Sequence, residues 1–153
     1  MGIGKDINQA KFRSEYQKAS VNLIYTHNWI TQQLKELFEK EELTMQQFNI
    51  LRILRGSPTP LSTLQIRERM LDKMSDSSRI VDRLVIKNLA KKVICKKDKR
   101  LVDVTITDKG RKVLQKLDQQ EQVMDELISN INEEEAKTLN YLLDKIRRSE
   151  DTE

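Results

Sequence analysis

The apolar residues of this chain follow a helical period over most of its length. Near the N-terminus they recur at spacings of three, four and seven, which place them on one helix face. These residues are Ala19, Leu23, Ile30, Leu34 and Leu37. The pattern predicts a first helix over residues 7–40, about 50 Å long. Because one small chain cannot cover an apolar face of that length, we expect part of this face to contact a second chain.

Shorter helical patterns follow, and two of them open with the spacing of a capping box. In this motif the side chains of the first and fourth residues each accept a hydrogen bond from the other's backbone N–H group. The pairs are Thr44 with Gln47 and Ser62 with Gln65. The first of these helices is expected to end at residues 56–58 and the second near residue 70. Another helix begins at Ser75 or Asp76, and the short connection before it is typical of a helix-turn-helix.

After this helix pair the period changes to two residues, which is typical of strands. Val93 and Cys95 precede a turn over residues 97–99, and the alternation resumes afterwards. The resumed alternation consists of Val102, Val104 and Ile106. We expect a β-hairpin, called the wing below, whose alternating apolar residues, Cys95 among them, face inward.

The C-terminal part is predicted to be helical again. Thr107 can cap a fifth helix whose apolar stripe runs to Ile131, and Asn132 with Glu135 repeats the capping-box spacing at the start of a sixth helix. The order of elements predicts a mainly α fold. It consists of a winged helix-turn-helix with one small β-hairpin wing and long N- and C-terminal helices.

Charge is unevenly distributed along the chain. The formal net charge of +4 is only mildly basic. Residues 61–100, called the basic segment below, hold twelve Lys or Arg and five Asp or Glu, a net charge of +7, so the rest carries −3. This distribution indicates that one segment contacts a polyanion such as double-stranded DNA while the ends have another task.

The second helix of the predicted helix-turn-helix has a polar face opposite its apolar one. Asp76, Arg79, Arg83 and Lys87 are spaced at i, i+3, i+7 and i+11. A recognition helix in the DNA major groove places its N-terminal residues nearest the bases. The expected readers are Ser75, Asp76, Ser77, Ser78 and Arg79. Arg83 and Lys87, farther along the helix, are expected to contact phosphates.

The turn of the wing is strongly basic, because Lys97, Lys99 and Arg100 flank Asp98. A narrow minor groove attracts an inserted arginine, and Arg100 is the candidate we favour. Asp98 is expected to hold Arg100 in an extended orientation through an ion pair. A lysine-rich turn on its own is often just a solvated surface. Its position directly after a helix-turn-helix favours DNA contact.

Two sequence patterns in this region point to one family. Residues 98–110, D-K-R-L-V-D-V-T-I-T-D-K-G, have the order Asp, any residue, Arg, then a strand that ends in Ile-Thr with a Gly three residues later. Residues 78–84, S-R-I-V-D-R-L, precede Asn88, a residue that tolerates the left-handed conformation of a helix end. Both patterns resemble those of MarR-type transcription regulators, in which Leu stands at the Ile106 position and Gly at the Asn88 position. The resemblance covers residues 8–148.

The resemblance implies a homodimer in which the first, fifth and sixth helices interlock and two recognition helices meet a pseudo-palindromic operator. It divides the chain into an N-terminal dimerisation helix (1–40), a winged helix-turn-helix DNA-binding domain (41–107) and C-terminal dimerisation helices (108–153). It also implies a repressor that releases DNA when a small phenolic or anionic effector binds between the dimer body and the DNA-reading part.

Four side chains allow a functional and a structural interpretation. Tyr25, His27 and Trp29 can border an effector pocket, because aromatic and imidazole groups suit phenolic or carboxylate ligands. The alternative is a packed, hydrogen-bonded histidine on the apolar stripe, which we favour.

Cys95 raises the question of a redox sensor, but oxidant-sensing relatives carry their cysteine in the first helix. Packing is therefore the expected role of Cys95.

The composition argues against several other classes of protein. One cysteine and one histidine cannot form an intramolecular disulfide or a conventional zinc site. No nucleophile with a base and no glycine-rich phosphate loop is assembled, so we expect no enzyme, metal or cofactor. The absence of a long apolar run or secretory signal predicts a cytoplasmic protein without a membrane partner. The alternative function is a winged helix that contacts protein within the transcription or replication machinery.

Overall fold

Helices and one two-stranded sheet make up residues 2–148, the part of the chain that this computed structural model describes. The described residues fall into two units, 2–119 and 120–148. The first unit contains α1 (Ile3–Asp6), α2 (Glu15–Glu39), α3 (Met45–Arg55), α4 (Thr63–Arg69), α5 (Ser77–Ile86), β1 (Ala90–Ile94), β2 (Val102–Ile106) and α6 (Asp108–Asp118). The second contains α7 (Glu121–Glu126) and α8 (Glu133–Arg147). The predicted mainly α fold with one β-hairpin is confirmed.

The core of the first unit forms around α3. This helix contacts α2, α4, α5, α6 and β2. The side chains that are almost wholly buried are Phe38, Ile50, Leu51, Ile66, Met70, Val81, Leu84, Val104 and Leu114. The first unit therefore buries one apolar face from each neighbouring helix and the base of the wing against a single central helix.

All three predicted capping boxes are present. Thr44 Oγ1 accepts a hydrogen bond from the N–H of Gln47 at 3.1 Å, and Gln47 Oε1 accepts one from the N–H of Thr44 at 3.2 Å. The same reciprocal pairs join Ser62 to Gln65 and Asn132 to Glu135. These boxes begin α3, α4 and α8 because they satisfy N–H groups that have no partner inside the helix.

The wing is a regular antiparallel hairpin with an unpredicted third partner. Ala90 pairs with Ile106, and Ile94 pairs with Val102 at the far end. Leu61, in the connection before α4, forms an isolated bridge to Val104, with N–O distances of 3.0 and 2.7 Å. Leu61 and Val104 are both almost completely buried. The bridge therefore attaches the base of the wing to the helix-turn-helix.

The pairing register corrects the predicted orientation of β1. Val93 pairs with Asp103, whereas the buried Val104 pairs with Lys92. Cross-strand partners point to the same side of a sheet, so Val93 lies on the side opposite Val104. Cys95 follows the end of β1, two residues after Val93, and is half-buried. The prediction that Val93 and Cys95 share the inward face of Val102, Val104 and Ile106 is therefore wrong.

Asn88, just after α5, and Gly110, in the first turn of α6, explain the tight junction between wing and helices. Asn88 has a φ of 59°, the left-handed conformation expected for it at the end of α5. Gly110 lies so close to Leu89 that a Cβ atom would come within 2.3 Å of the Leu89 carbonyl oxygen. Only glycine permits this approach, which gives the glycine of the wing pattern a steric reason.

The predicted first helix, residues 7–40, is wrong at its start. Asn8 follows α1 with a φ of 54°, and α2 begins only at Glu15. Ser14 caps α2 by accepting a hydrogen bond from the N–H of Gln17, while Gln17 Oε1 accepts one from the N–H of Arg13. The serine and glutamine three residues apart were a sequence signal for this start that the apolar stripe obscured.

The predicted fifth helix is interrupted. α6 ends at Asp118, and α7 begins at Glu121 without a side-chain cap. Residues 118–122 are all polar, so no apolar side chain in this stretch can hold a continuous helix against the core. The apolar positions 124, 127, 128 and 131 consequently belong to the second unit.

Candidate nucleic-acid interface

The N-terminus of α5 is organised by Asp76. Its carboxylate accepts a hydrogen bond from the N–H of Arg79 at 3.1 Å and lies 3.6 Å from Nε of the same residue. Ser78 and Arg79 are exposed beside it. The cap therefore fixes the first turn and leaves the Ser78 and Arg79 side chains accessible to a ligand in front of the helix.

Ser77 does not lie with these exposed side chains. It is only 4% exposed, and within residues 2–148 its hydroxyl has no hydrogen-bond partner. Ser77 stands four residues before Val81 and seven before Leu84, so helical spacing places it on the buried face of α5. The same spacing was available in the sequence. The prediction of Ser77 as a base reader is therefore corrected. Ser75 is half-buried, and its hydroxyl is also buried without a hydrogen-bond partner among the described residues, so it is not presented to a ligand and this prediction is corrected too.

Arg83 and Lys87 differ although both were expected to contact phosphates. Arg83 is exposed, and the described residues include no ion-pair partner for it. Lys87 is half-buried, and its Nζ donates hydrogen bonds to the backbone carbonyl of Glu42 and, at 3.3 Å, to Oε1 of Gln47. Lys87 is thus engaged with the connection between α2 and α3, which the sequence pattern did not reveal.

The predicted ion pair at the tip of the wing is present. The Arg100 guanidinium donates two hydrogen bonds of 3.1 Å to the Asp98 carboxylate, and the N–H of Arg100 donates a third at 3.0 Å. These hydrogen bonds lower the pKa of Asp98 from its ordinary value of 3.8. The guanidinium has the larger effect and the backbone N–H the smaller one. Arg100, Lys97 and Lys99 are all exposed. The ion pair holds Nε and Nη2 of Arg100, while the side chain as a whole stays exposed to solvent.

Most acidic residues of the basic segment are engaged internally. Asp72 accepts the N–H of Met74, and Asp76 and Asp98 bind Arg79 and Arg100 as described. Asp82 pairs with Lys92 at 2.7 Å, which links α5 to β1. These contacts leave, within the described part of the chain, an excess of exposed cations that have neither an ion pair nor a side-chain hydrogen bond. They are Arg67, Arg69, Arg83, Lys91, Lys96, Lys97 and Lys99.

A cleft of about 620 Å³ opens between α2 and the start of α3. Its lining consists of Asn28, Thr31, Gln32, Lys35 and Glu39 from α2 and of Glu42, Leu43, Thr44, Met45 and Gln46. Neither Tyr25, His27 nor Trp29 lines it, and all three are exposed. His27 and Trp29 each lie one position from Asn28, which is about 100° around the helix. The three predicted pocket residues therefore lie outside this cleft, and His27 is exposed on the single chain, contrary to the alternative of a packed histidine.

No group of three or more His, Cys, Asp or Glu within residues 2–148 is arranged to hold a metal ion. None of the helices in that range combines the length and apolar character needed to cross a bilayer.

Known proteins resemble this chain in sequence and in fold, although no family model matches it. The HTH-type transcriptional repressor MdtR of Bacillus subtilis is 30% identical over 125 residues, which are 81% of this chain and 80% of MdtR. A MarR transcription factor from Planctomyces limnophilus is 31% identical with a TM-score of 0.66, over 88% of this chain and 98% of that one. A mutant of E. coli MarR, in complex with operator DNA, has a TM-score of 0.79 at 24% identity, over 91% of this chain and 100% of that one.

The helix pair, the basic wing and the likeness to a transcriptional repressor define a winged helix-turn-helix transcription regulator. More specifically, this chain belongs to the MarR family.

Proposed function

We propose that this protein is a transcriptional repressor that binds operator DNA as a homodimer and releases it when a small ligand binds. The observation that carries the DNA-binding part is the charge pattern of the basic segment. Four of its five acidic side chains have hydrogen-bond or ion-pair partners in the same chain, while seven exposed cations have neither an ion pair nor a side-chain hydrogen bond among the described residues. Because its target is chromosomal DNA, we infer an intracellular location.

The contacts divide into base reading and phosphate binding. Ser78 and Arg79 lie exposed at the start of α5, where a helix in the major groove approaches base edges. Asp76 caps the helix, and its carboxylate can accept a hydrogen bond from the amino group of a cytosine. Arg83, one turn farther along α5, contacts phosphates. Lys97 and Lys99 bind the backbone around the minor groove into which Arg100 inserts.

Salt dependence tests this proposal. An operator is selected from a random pool of duplex DNA, and its affinity is measured by fluorescence anisotropy from about 50 to about 300 mM salt. We expect a steep loss of affinity, because about six to ten phosphate contacts per dimer release counterions. Affinity that hardly changes over this range would favour the alternative, a winged helix that contacts protein.

Arg100→Ala tests the wing. Its side chain is 88% exposed, so we expect weaker operator binding and an unchanged melting temperature. Arg111→Ala is the matched control, since it removes an exposed arginine of α6 outside the basic segment. A large loss of thermal stability in Arg100→Ala would instead assign Arg100 a structural role.

Exposed apolar side chains support the homodimer. On α2 they are Tyr16, Leu23, Ile24, Tyr25 and Trp29. On α8 they are Leu139, Tyr141, Leu142 and Ile146. Exposed apolar groups in such numbers on two helices are typical of a protein interface. A second copy of this chain is the proposed occupant, because a pseudo-palindromic operator requires two recognition helices related by symmetry.

The cleft beside α2 is the proposed effector site. Its lining surface is largely apolar, which suits an aromatic ring, and the Lys35 ammonium suits an anionic group, although Lys35 also lies 3.6 Å from Glu39. We expect 4-hydroxybenzoate, which has both groups, to lower operator affinity in wild type and to do so less in Lys35→Met. Lys18→Met, a lysine paired with Glu15 at the other end of α2, is the control. Equal responses of all three proteins would place the ligand elsewhere.

A further inference from the structure

The side chain of Lys87 joins two parts of the fold that have different tasks. Lys87 ends the recognition helix α5 as its C-cap. Its ammonium group donates to the carbonyl oxygen of Glu42 and to Oε1 of Gln47, two residues that precede or begin α3. A charged donor shared between two oxygen acceptors is a strong restraint for a surface lysine.

Both acceptors are themselves fixed. Gln47 is only 4% exposed, and its Oε1 also accepts the N–H of Thr44 within the capping box. Glu42 has a φ of 55°, the left-handed conformation, which directs the connection between α2 and α3. Glu42 and Thr44 line the cleft. The ammonium of Lys87 is therefore attached to the wall of the cleft rather than to a mobile surface loop.

Two further side chains restrain the same end of α5. Lys109 Nζ donates to the Lys87 carbonyl at 3.0 Å, and Thr107 Oγ1 donates to the Asn88 carbonyl at 2.7 Å. These bonds satisfy carbonyl groups that a helix leaves without partners at its C-terminus. Lys109 and Thr107 fix the helix end on the α6 side. Lys87 adds a polar restraint toward residues 42–47 to the apolar packing of α5 against α3.

We propose that Lys87 is a positioning residue, which sets the orientation of α5 for operator reading, and not a phosphate contact. The inference rests on the proposed operator binding. It assigns the segment 42–47 as the mechanical connection between the cleft and the recognition helix, so a ligand that shifts this segment acts on α5 through the Lys87 ammonium.

Lys87→Met and Arg83→Ala distinguish the two roles. Affinity for the selected operator and for a scrambled duplex is measured across the same range of salt. We expect Lys87→Met to lower the ratio of operator to scrambled affinity about tenfold and to leave the salt slope unchanged. Arg83→Ala should reduce the slope by about two per dimer and leave the ratio unchanged. A purely structural role would lower the active fraction for both duplexes equally and would not move the ratio.

A second measurement uses the wild-type protein, so it does not depend on the folding of a variant. The NMR signals of lysine NH₃⁺ groups are recorded with and without operator. We expect the Lys87 signal to be protected from exchange in free protein and to keep its chemical shift on DNA, while the Lys97 signal moves.

The outcomes separate this inference from the function on which it rests. The positioning role alone is overturned if Lys87→Met reduces the salt slope or leaves the affinity ratio unchanged. It is also overturned if the Lys87 signal of the wild-type protein moves when DNA is added. A wild-type protein that binds neither duplex overturns both proposals.

Discussion

Residues with the same spacing in the sequence have different tasks in this fold. Arg79, Arg83 and Lys87 lie on one predicted face of α5, yet Arg79 is paired with Asp76 and Lys87 is bound to the α2–α3 connection. Helical spacing predicts which face of a helix a side chain occupies, and Arg83 does lie on the exposed face of α5 as predicted. The partner of Lys87 is remote in the sequence, so only the folded chain could reveal it.

Gly110→Ala is expected to destabilise the protein. The new Cβ would lie 2.3 Å from the Leu89 carbonyl oxygen and 2.8 Å from Cγ1 of Ile106, so the backbone of the junction must shift. Overpacking of this kind costs about 2–3 kcal/mol. The free energy of unfolding, measured with urea, should fall by that amount.

Gly56→Ala is the matched control for this substitution. Gly56 has a φ of −76°. A Cβ atom added there would lie 3.4 Å from the nearest atom, the Arg52 carbonyl oxygen. We expect a change within about 0.5 kcal/mol. If Gly110→Ala behaves like Gly56→Ala, the close approach to Leu89 is not a requirement of the fold.

The Asp98 carboxyl should titrate below its ordinary pKa of 3.8, because Arg100 stabilises the ionised form. The contribution of the pair to wing order is then fully present above pH 3.8 and is lost as the pH falls through the lowered pKa. NMR titration of the side-chain carboxyl should show a higher pKa in Arg100→Ala than in wild type. An identical pKa in both proteins would mean that the pair does not form in solution.

At the scale of elements, local signals determined where helices begin. The capping boxes at Thr44, Ser62 and Asn132 were correct because the motif is made of side chains a few residues apart. The start at Ser14 and the break after Asp118 were not predicted, because an apolar stripe has the same appearance whether or not its helix is continuous. The bridge from Leu61 to Val104 has no local signal at all.

Ser62→Ala tests how far α4 depends on its cap. This helix has seven residues, and the Ser62 hydroxyl accepts a hydrogen bond from the Gln65 N–H at 3.2 Å. Loss of such a cap costs about 1 kcal/mol. Ser20→Ala is the control, since the Ser20 hydroxyl donates to the Tyr16 carbonyl on the exposed surface of α2. Equal denaturation midpoints for both variants would show that packing alone holds α4.

At the scale of the whole molecule, the net positive charge and the exposed apolar residues of α2 and α8 lie in different parts of the chain. Residues 61–100 carry a net charge of +7, whereas the exposed apolar residues of α2 and α8 lie outside that range. The sequence predicted this division because the composition of each segment shows it directly. It could not predict the lining of the cleft, since that depends on how α2 and α3 pack.

The proposed homodimer predicts a particle of about 36 kDa by light scattering, twice the chain mass of 18.0 kDa. Leu142→Glu should convert it to a monomer, because a charge on an apolar interface must lose its hydration on association. Leu71→Glu introduces the same charge at a residue that is 83% exposed outside both helices and should leave the mass unchanged. A wild-type mass near that of one chain would contradict the dimer.

The bridge between Leu61 and Val104 also bears on the order in which the protein folds. Capping boxes join neighbouring residues and form quickly, but the bridge must first close the long stretch that contains α4, α5 and β1. During synthesis the helix pair leaves the ribosome before β2 does, so Leu61 cannot pair with Val104 until β2 has also emerged. We therefore expect docking of the wing to be a late folding step, after which the reading surface is complete.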